Sequence, residues 1–220
     1  MPNNIKTKDL FDCNISYIEP LLNEDFPWQV LPKIKDYIKS LISTGIDGFY
    51  EIKENVLIGK NVKISQLATI EAPAIIGDNC EIRPGAYIRG NVIIGSNCVI
   101  GNSCELKNCV LLNNVQVPHY NYVGDSILGN FSHLGAGSIC SNLKSDKSNI
   151  VIHGELDYAT NLRKIGAFVG DHAEVGCGCV LNPGTIIGKN TSVYPLSSVR
   201  GVIAENSIYK SQNNIAKKEL

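Results

Sequence analysis

Over the middle of the chain an aliphatic residue returns at every sixth position: Ile58, Ile64, Ile70, Ile76, Ile82, Ile88, Ile94, Ile100, Leu106 and Leu112. Four positions after each stands a small or β-branched residue, Val62, Ala68, Ala74, Cys80, Ala86, Val92, Cys98, Cys104 and Val110, and Gln116 breaks the series. Both positions are expected to point inward, with Cys80, Cys98 and Cys104 filling the smaller slot. The residue before the slot is often Asn or Gly (Asn79, Gly85, Asn91, Asn97), types that tolerate the left-handed backbone of a tight corner. A period of six with one turn-forming site per repeat predicts a hexapeptide solenoid, in which three short strands make a coil and about eighteen residues return the chain to the same face. Coils of this kind stack at the strand spacing of ~4.8 Å.

The pattern resumes at Val169, Val175, Leu181, Ile187, Val193 and Val199, with Ala173, Cys179, Thr185, Thr191 and Ser197 in the small slot. Two blocks of one solenoid are therefore expected, separated by a disturbed segment at residues 117–168. Upstream, Val30, Ile34, Ile38 and Ile42 recur at helical spacing, with Pro27 before them and Gly45 after them, which predicts an amphipathic helix. Downstream, "NSIYKSQNNIAKKEL" has weaker periodicity and is expected to close the chain as a short helix. The expected organisation is mainly β. Residues 1–50 form a helical cap, 51–203 a parallel β-helix with an excursion loop at 142–164, and 204–220 a helical tail.

The 20 basic and 21 acidic residues nearly cancel, which gives no bulk electrostatic reason to expect nucleic acid or an anionic membrane as a partner. Without a long apolar run or a signal-peptide pattern, a cytoplasmic protein is expected. The eight cysteines include Cys177 and Cys179 as C-x-C rather than spaced C-x-x-C units, so reduced thiols are expected rather than a zinc ribbon. His119, His133, His153 and His172 are spaced by 14, 20 and 19 residues, with no close pair to ligate a metal, and no metal site is expected.

"GNSCELK", followed by "HYNYVGDSILGNFSHLGAGSICSN", resembles the acetyltransferase domain of the bifunctional UDP-N-acetylglucosamine pyrophosphorylase/glucosamine-1-phosphate acetyltransferase family. The family pattern reads G-N-x-x-E-x-K, then G-H-x-x-Y-x-G-D, then I-G-A-G-T-x-x-x-N. The resemblance covers about residues 58–200 and implies a left-handed β-helix, a hexapeptide-repeat acyltransferase, assembled as a homotrimer. "FPWQVLP" is similar to the linker that precedes this solenoid in related sugar-1-phosphate nucleotidylyltransferases. The Gly-rich start of the nucleotidylyltransferase domain is not found, so pyrophosphorylase chemistry is not expected of this chain.

By this resemblance His119 is the general base that takes a proton from a sugar amine as the amine attacks acetyl-CoA, a task suited to imidazole because it titrates near neutral pH. Glu105 orients the amine. Tyr122, Asn142 and Lys107 match sugar-phosphate contacts, and Asp125 belongs to the shared G-D step. Either Arg83, which carries the local "RPGA" motif, or Arg89, eighteen residues before Lys107, holds the phosphate. The loop lysine of the family is matched by Lys147 or Lys144. His133 replaces an asparagine that contacts the amino sugar, which leaves the sugar open between glucosamine 1-phosphate and galactosamine 1-phosphate. Acetyl-CoA is expected along the coils near Ala136 and Asp171, with Arg200 at its nucleotide phosphate. The expected activity is acetyl transfer to a hexosamine 1-phosphate in UDP-N-acetylhexosamine synthesis, with no metal in the transfer site. An acetyltransferase for a nucleotide-linked amino sugar, or a non-catalytic scaffold on the same fold, stays open as an alternative.

Overall fold

The computed structural model of the chain describes residues 5–219. Short parallel strands wind into a left-handed β-helix of triangular section. The first face carries Val56–Ile58, Ala74–Ile76, Val92–Ile94, Ala167–Val169, Thr185–Ile187 and Val202–Ile203. The second carries Lys63–Ile64, Glu81–Ile82, Val99–Asn102, Gln116–His119, His133–Leu134, Glu174–Val175 and Ser192–Val193. On the third lie Thr69–Ile70, Tyr87–Ile88, Ile139–Cys140, Val180–Leu181 and Ser198–Val199. Two longer strands, Glu105–Leu111 and Tyr122–Leu128, run from the third face onto the first.

The inward aliphatics pack as one continuous core, from Ile58 and Ile76 to Val193 and Val199. The small slot has a chemical reason beyond size. It lies under a backbone carbonyl of the next coil, and polar or thiol residues there donate to it: Cys80 to Gly95 (3.0 Å), Cys98 to Leu112 (3.0 Å), Ser138 to Gly176 (2.8 Å), Thr191 to Ala204 (2.8 Å). Asn79, Gly85, Asn91 and Asn97 all have the positive φ expected of them.

The rhythm breaks elsewhere than expected. Val110 and Leu112 point outward, and Cys109 and Leu111 occupy the core in their place. Two corners, at Asn108 and Asp125, have lost a residue: Leu106 pairs with Val123, a step of 17 where Ile88 to Leu106 is 18. The segment from residue 117 is not a gap in the solenoid, because Val117, Val123, Leu128, Leu134 and Cys140 continue the inward row. The chain leaves the coil between Cys140 and Ala167, where it forms the small hairpin Val151–His153/Asp157–Ala159, and it returns in register, Leu128 pairing with Val169.

The N-terminal segment covers the first face. It contains a short helix α1 (Thr7–Leu10), two 3₁₀ turns (Pro27–Gln29, Leu31–Lys33) and α2 (Ile34–Thr44), with Gly45 at φ 79° ending it. Val30, Ile34 and Ile38 pack on Leu57, Ile75, Ile93, Val110, Ile127 and Phe168. First-face strands therefore bury both sides, which is why they read as uninterrupted apolar triplets. Phe26, Trp28 and Tyr158 form an aromatic group that joins the cap to the excursion hairpin, and Trp28 leans on Phe168.

The C-terminal segment is a β-hairpin, Ser207–Ser211 with Asn214–Lys217, and not the expected helix. Ile208 and Tyr209 extend the second face as one more strand, and the buried Tyr209 closes the end of the core, its hydroxyl donating to the Ser198 carbonyl at 3.1 Å. Among the described residues no helix is long and apolar enough to cross a membrane.

Asp171, expected near acetyl-CoA, is instead a pin between cap and solenoid. Its carboxylate is 2% exposed and accepts the backbone N–H groups of Asp12 and Asn130, both at 2.7 Å, while its own N–H donates to Leu10. Lys189 lies 2.6 Å from Asp12 and 3.8 Å from Asp171. Burial pushes the Asp171 carboxyl above its ordinary value, and the two backbone donors oppose the shift. Asp171→Ala leaves two partly buried N–H groups without that acceptor and should cost roughly 1–2 kcal/mol. Chemical denaturation should show this loss, and an unchanged midpoint would mean that the cap is held by its apolar contacts alone.

Candidate functional site

Parallel pairing without bulges places residues one coil apart side by side, and on the third face this builds two rows. Tyr87, Glu105, Tyr122 and Ile139 form one, in direct register. Arg89, Lys107, Gly124 and Ser141 form the other, one residue past each inward aliphatic. Arg89 donates to Glu105 at 2.6 Å, and the same carboxylate raises its pKa. Arg89 also lies 5.9 Å from the Tyr87 ring centroid. Arg83 is on the second face, paired with Glu81 at 3.2 Å, so of the two arginines Arg89 shares a face with Lys107, Glu105 and Tyr122.

The two shortened corners supply the floor of the site. Asp125, at φ 49° and 5% exposed, accepts Asn108 Nδ2 at 2.9 Å and Asn142 Nδ2 at 2.5 Å, with Lys107 Nζ at 3.5 Å. Asn142 Nδ2 also donates to the Tyr122 hydroxyl at 3.1 Å. The Tyr122 ring lies over Gly124, where a Cβ would run into its hydroxyl, so glycine here is what lets the ring lie flat against the coil. Burial raises the Tyr122 phenol above its ordinary pKa, and the nearby Asp125 and Glu105 charges add to the shift.

His119 stands where the second face turns into the third. Its side chain is exposed, and the ring has no hydrogen-bond partner among the described residues. What holds it is its backbone. The N–H donates to Asn121 Oδ1 (3.1 Å), and the carbonyl accepts Gly137 N–H (3.0 Å). Asn121 fills the small inner slot and also donates to the carbonyls of Gly135 (2.8 Å) and Ser138 (3.1 Å). Sequence reading missed Asn121 and Asn108; an asparagine in a slot otherwise kept for Ala, Cys, Val, Ser or Thr was the available signal for the first.

Ala136 is exposed on the coil after His119, beside the glycine-rich corners Gly135–Gly137 and Gly176–Gly178. His133 lies on the second face, opposite Gln116, with Nδ1 2.8 Å from Glu174. Lys144 donates to its own loop at Asn149 (3.1 Å) and lines a cleft of about 440 Å³ with Ser141, Asn182 and Arg200. Lys147 is exposed at φ 58° in the same loop, and its carbonyl accepts Arg163 Nε (3.2 Å). Thus Arg89, Glu105, Lys107, Tyr122 and Asn142 come together in one chain. Arg83 and His133 lie on the other side of the His119 corner. Among the described residues no group of three or more His, Cys, Asp or Glu is arranged to hold a metal ion.

A parallel left-handed β-helix with hexapeptide corners, carrying this polar row on one face, is a hexapeptide-repeat solenoid. Its relatives are more particular. The chain is 40% identical over 200 residues to the bifunctional protein GlmU of Methanococcus maripaludis, covering 88% of this chain and 48% of that protein. It is 29% identical over 212 residues to a bifunctional sugar-1-phosphate nucleotidylyltransferase/acetyltransferase of Sulfurisphaera tokodaii, covering 94% and 53% respectively. Residues 70–156 match the GMPPB C-terminal domain family. Among solved structures, perosamine N-acetyltransferase of Caulobacter crescentus superimposes with a TM-score of 0.44 at 18% identity, over 72% of this chain and 57% of that one. The chain is similar to GlmU-like bifunctional proteins, and it spans about half the length of the curated relatives it matches.

Gly124→Ala should swing the Tyr122 ring into solvent and bring its raised pKa down toward the ordinary tyrosine value. An ultraviolet difference titration, with Tyr122→Phe to assign the signal, reads the change; identical titrations in both proteins would count against the packing described.

Proposed function

We propose that the chain transfers an acetyl group from acetyl-CoA to the amine of a hexosamine 1-phosphate. The observation that carries this reading is one juxtaposition. A corner histidine whose ring has no hydrogen-bond partner among the described residues stands beside a face on which Arg89, Lys107, Glu105, Tyr122 and Asn142 meet. Fixed cations with adjacent hydrogen-bond donors suit a phosphate, and an exposed imidazole beside them suits an amine that must lose a proton.

In this reading Arg89 and Lys107 bind the sugar phosphate with Tyr122, and Glu105 receives the amine end. Acetyl-CoA supplies the acetyl group as a thioester. His119 accepts the proton that the amine sheds as its nitrogen bonds to the acetyl carbon, and the thiolate leaves. The Gly-rich corners beyond His119, with the exposed Ala136 between Gly135 and Gly137, offer room for the pantetheine arm, and Arg200 suits a coenzyme phosphate. We assign the loop contact to the acceptor phosphate to Lys147, since the Lys144 ammonium is already engaged. His133 and Arg83 lie across the corner from the main group. A cyclic homotrimer, in which the second face of one copy meets the third face of the next, would bring them to a site. Glucosamine 1-phosphate is the first choice of acceptor and galactosamine 1-phosphate the second, because His133 replaces the asparagine of the family pattern.

Purified protein, acetyl-CoA and a panel of both sugar phosphates and a UDP-linked amino sugar, followed by thiol release, test the activity. Turnover of a hexosamine 1-phosphate supports the reading. Turnover of the nucleotide sugar alone replaces it, and the absence of both turnover and acetyl-CoA binding favours a scaffold. His119→Ala should lower kcat by roughly 10²- to 10⁴-fold with the oligomer unchanged in light scattering. Retained activity would remove His119 from the mechanism. Arg89→Ala should raise the acceptor KM about tenfold, while the same change at Arg83 has a smaller effect; the reverse order would move the phosphate to the second face.

A further inference from the structure

Asp125 is the most enclosed acidic side chain at the site, and its carboxylate turns toward neighbouring side chains rather than the open face. Oδ1 accepts Asn108 Nδ2 at 2.9 Å, and Oδ2 accepts Asn142 Nδ2 at 2.5 Å with Lys107 Nζ at 3.5 Å. Contact with a carboxylate oxygen fixes which end of the Asn142 amide faces it. The opposite flip would set Oδ1 against Oδ2, two acceptors with no proton between them.

The consequence propagates outward. One proton of Asn142 Nδ2 goes to Asp125 and the other to the Tyr122 hydroxyl at 3.1 Å, so the amide has no donor left for a ligand. What remains is Oδ1, an acceptor. The Tyr122 oxygen, already accepting from Asn142, keeps its own O–H proton to give. A site with this wiring offers one acceptor and one donor in fixed positions, and neither can exchange roles without breaking the bond to Asp125.

We propose that Asp125 is a positioning residue that sets the polarity of the acceptor site: Asn142 Oδ1 receives a hydroxyl or ammonium hydrogen of the sugar, and the Tyr122 O–H donates to an anionic oxygen. This rests on the acetyl-transfer reading for the identity of the ligand, while the polarity itself follows from the hydrogen bonds. Asn108 matters as the donor to Oδ1, and its side chain also reaches the Leu31 carbonyl of the cap at 3.5 Å. The cap thereby touches the chain of contacts that ends at the ligand.

Two measurements test it. In amide-selective NMR of the full chain, the Asn142 side-chain NH₂ pair, assigned by its loss in Asn142→Ala, should be shifted downfield and exchange slowly. Asp125→Asn should abolish this, because an amide at 125 cannot accept from Asn108 and Asn142 at once. An Asn142 pair that exchanges like a solvent-exposed amide in the unmodified protein overturns the proposal, whether or not any variant folds or any sugar is turned over.

The second measurement is kinetic, with glucosamine 1-phosphate. Asp125→Asn should raise the acceptor KM about tenfold while kcat stays within about threefold and the acetyl-CoA KM is unchanged. In an Asn142→Ala background the same substitution should cost clearly less than it does alone, since Asp125 acts mainly through that amide and only in part through Lys107. Additive losses would assign Asp125 a purely structural role. If the unmodified protein turns over neither glucosamine 1-phosphate nor galactosamine 1-phosphate, the hexosamine 1-phosphate reading fails, and the amide resonances still decide the polarity.

Discussion

The rest of the molecule depends on backbone hydrogen bonding between one coil and the next. The short strands of the coils pair in parallel with the strand one turn earlier, so side chains 16 to 18 residues apart, or 41 across the excursion, become neighbours at ~4.8 Å. A strand of two or three residues has no stability of its own. It exists because the coil beneath presents carbonyls in register and an aliphatic floor. Chemistry on the outer faces is then written as rows across coils, and the Arg89–Lys107 row is one of them.

The inner slot does more than save space. Where its occupant has a donor, the group satisfies a carbonyl of the next coil that would otherwise be buried without a partner. At the corner that bears His119 this duty falls to Asn121, whose extra length also reaches the His119 N–H. A residue of the core thus fixes the backbone of a residue at the surface. The missing residues at Asn108 and Asp125 act in a comparable way. They merge two faces into continuous strands and turn polar corner residues toward each other rather than toward water.

Cap, excursion loop and site are mechanically joined. Trp28 stacks on Phe26 and packs near Tyr158 of the excursion hairpin and Phe168 of the coil to which the excursion returns. Asn142, the first residue of the segment expected to leave the solenoid, is tied to Tyr122 and Asp125. The loop is therefore held at both ends, by aromatic packing against the cap and by polar contacts at the site.

The hexad pattern in the sequence determined the solenoid, its left-handed corners and its inward residues other than Val110 and Leu112, and helical spacing determined the helix at Ile34–Thr44, because each follows from local spacing and residue type. It also contained the motif residues later found together. The pairing of coils across long separations was decided only in three dimensions. Periodicity could not reveal that Val110 and Leu112 face the cap, since an aliphatic residue suits either side of a strand buried on both. Asp171 looked like a ligand contact and became a pin to the cap because donors from residues 12 and 130 converge on it. The tail looked weakly helical and became a hairpin because an open solenoid end offers it a strand to pair with. The spacing of eighteen already set Arg89 on the face of Lys107 and Arg83 one hexad off it, and the pairing of Ile88 with Leu106 agrees.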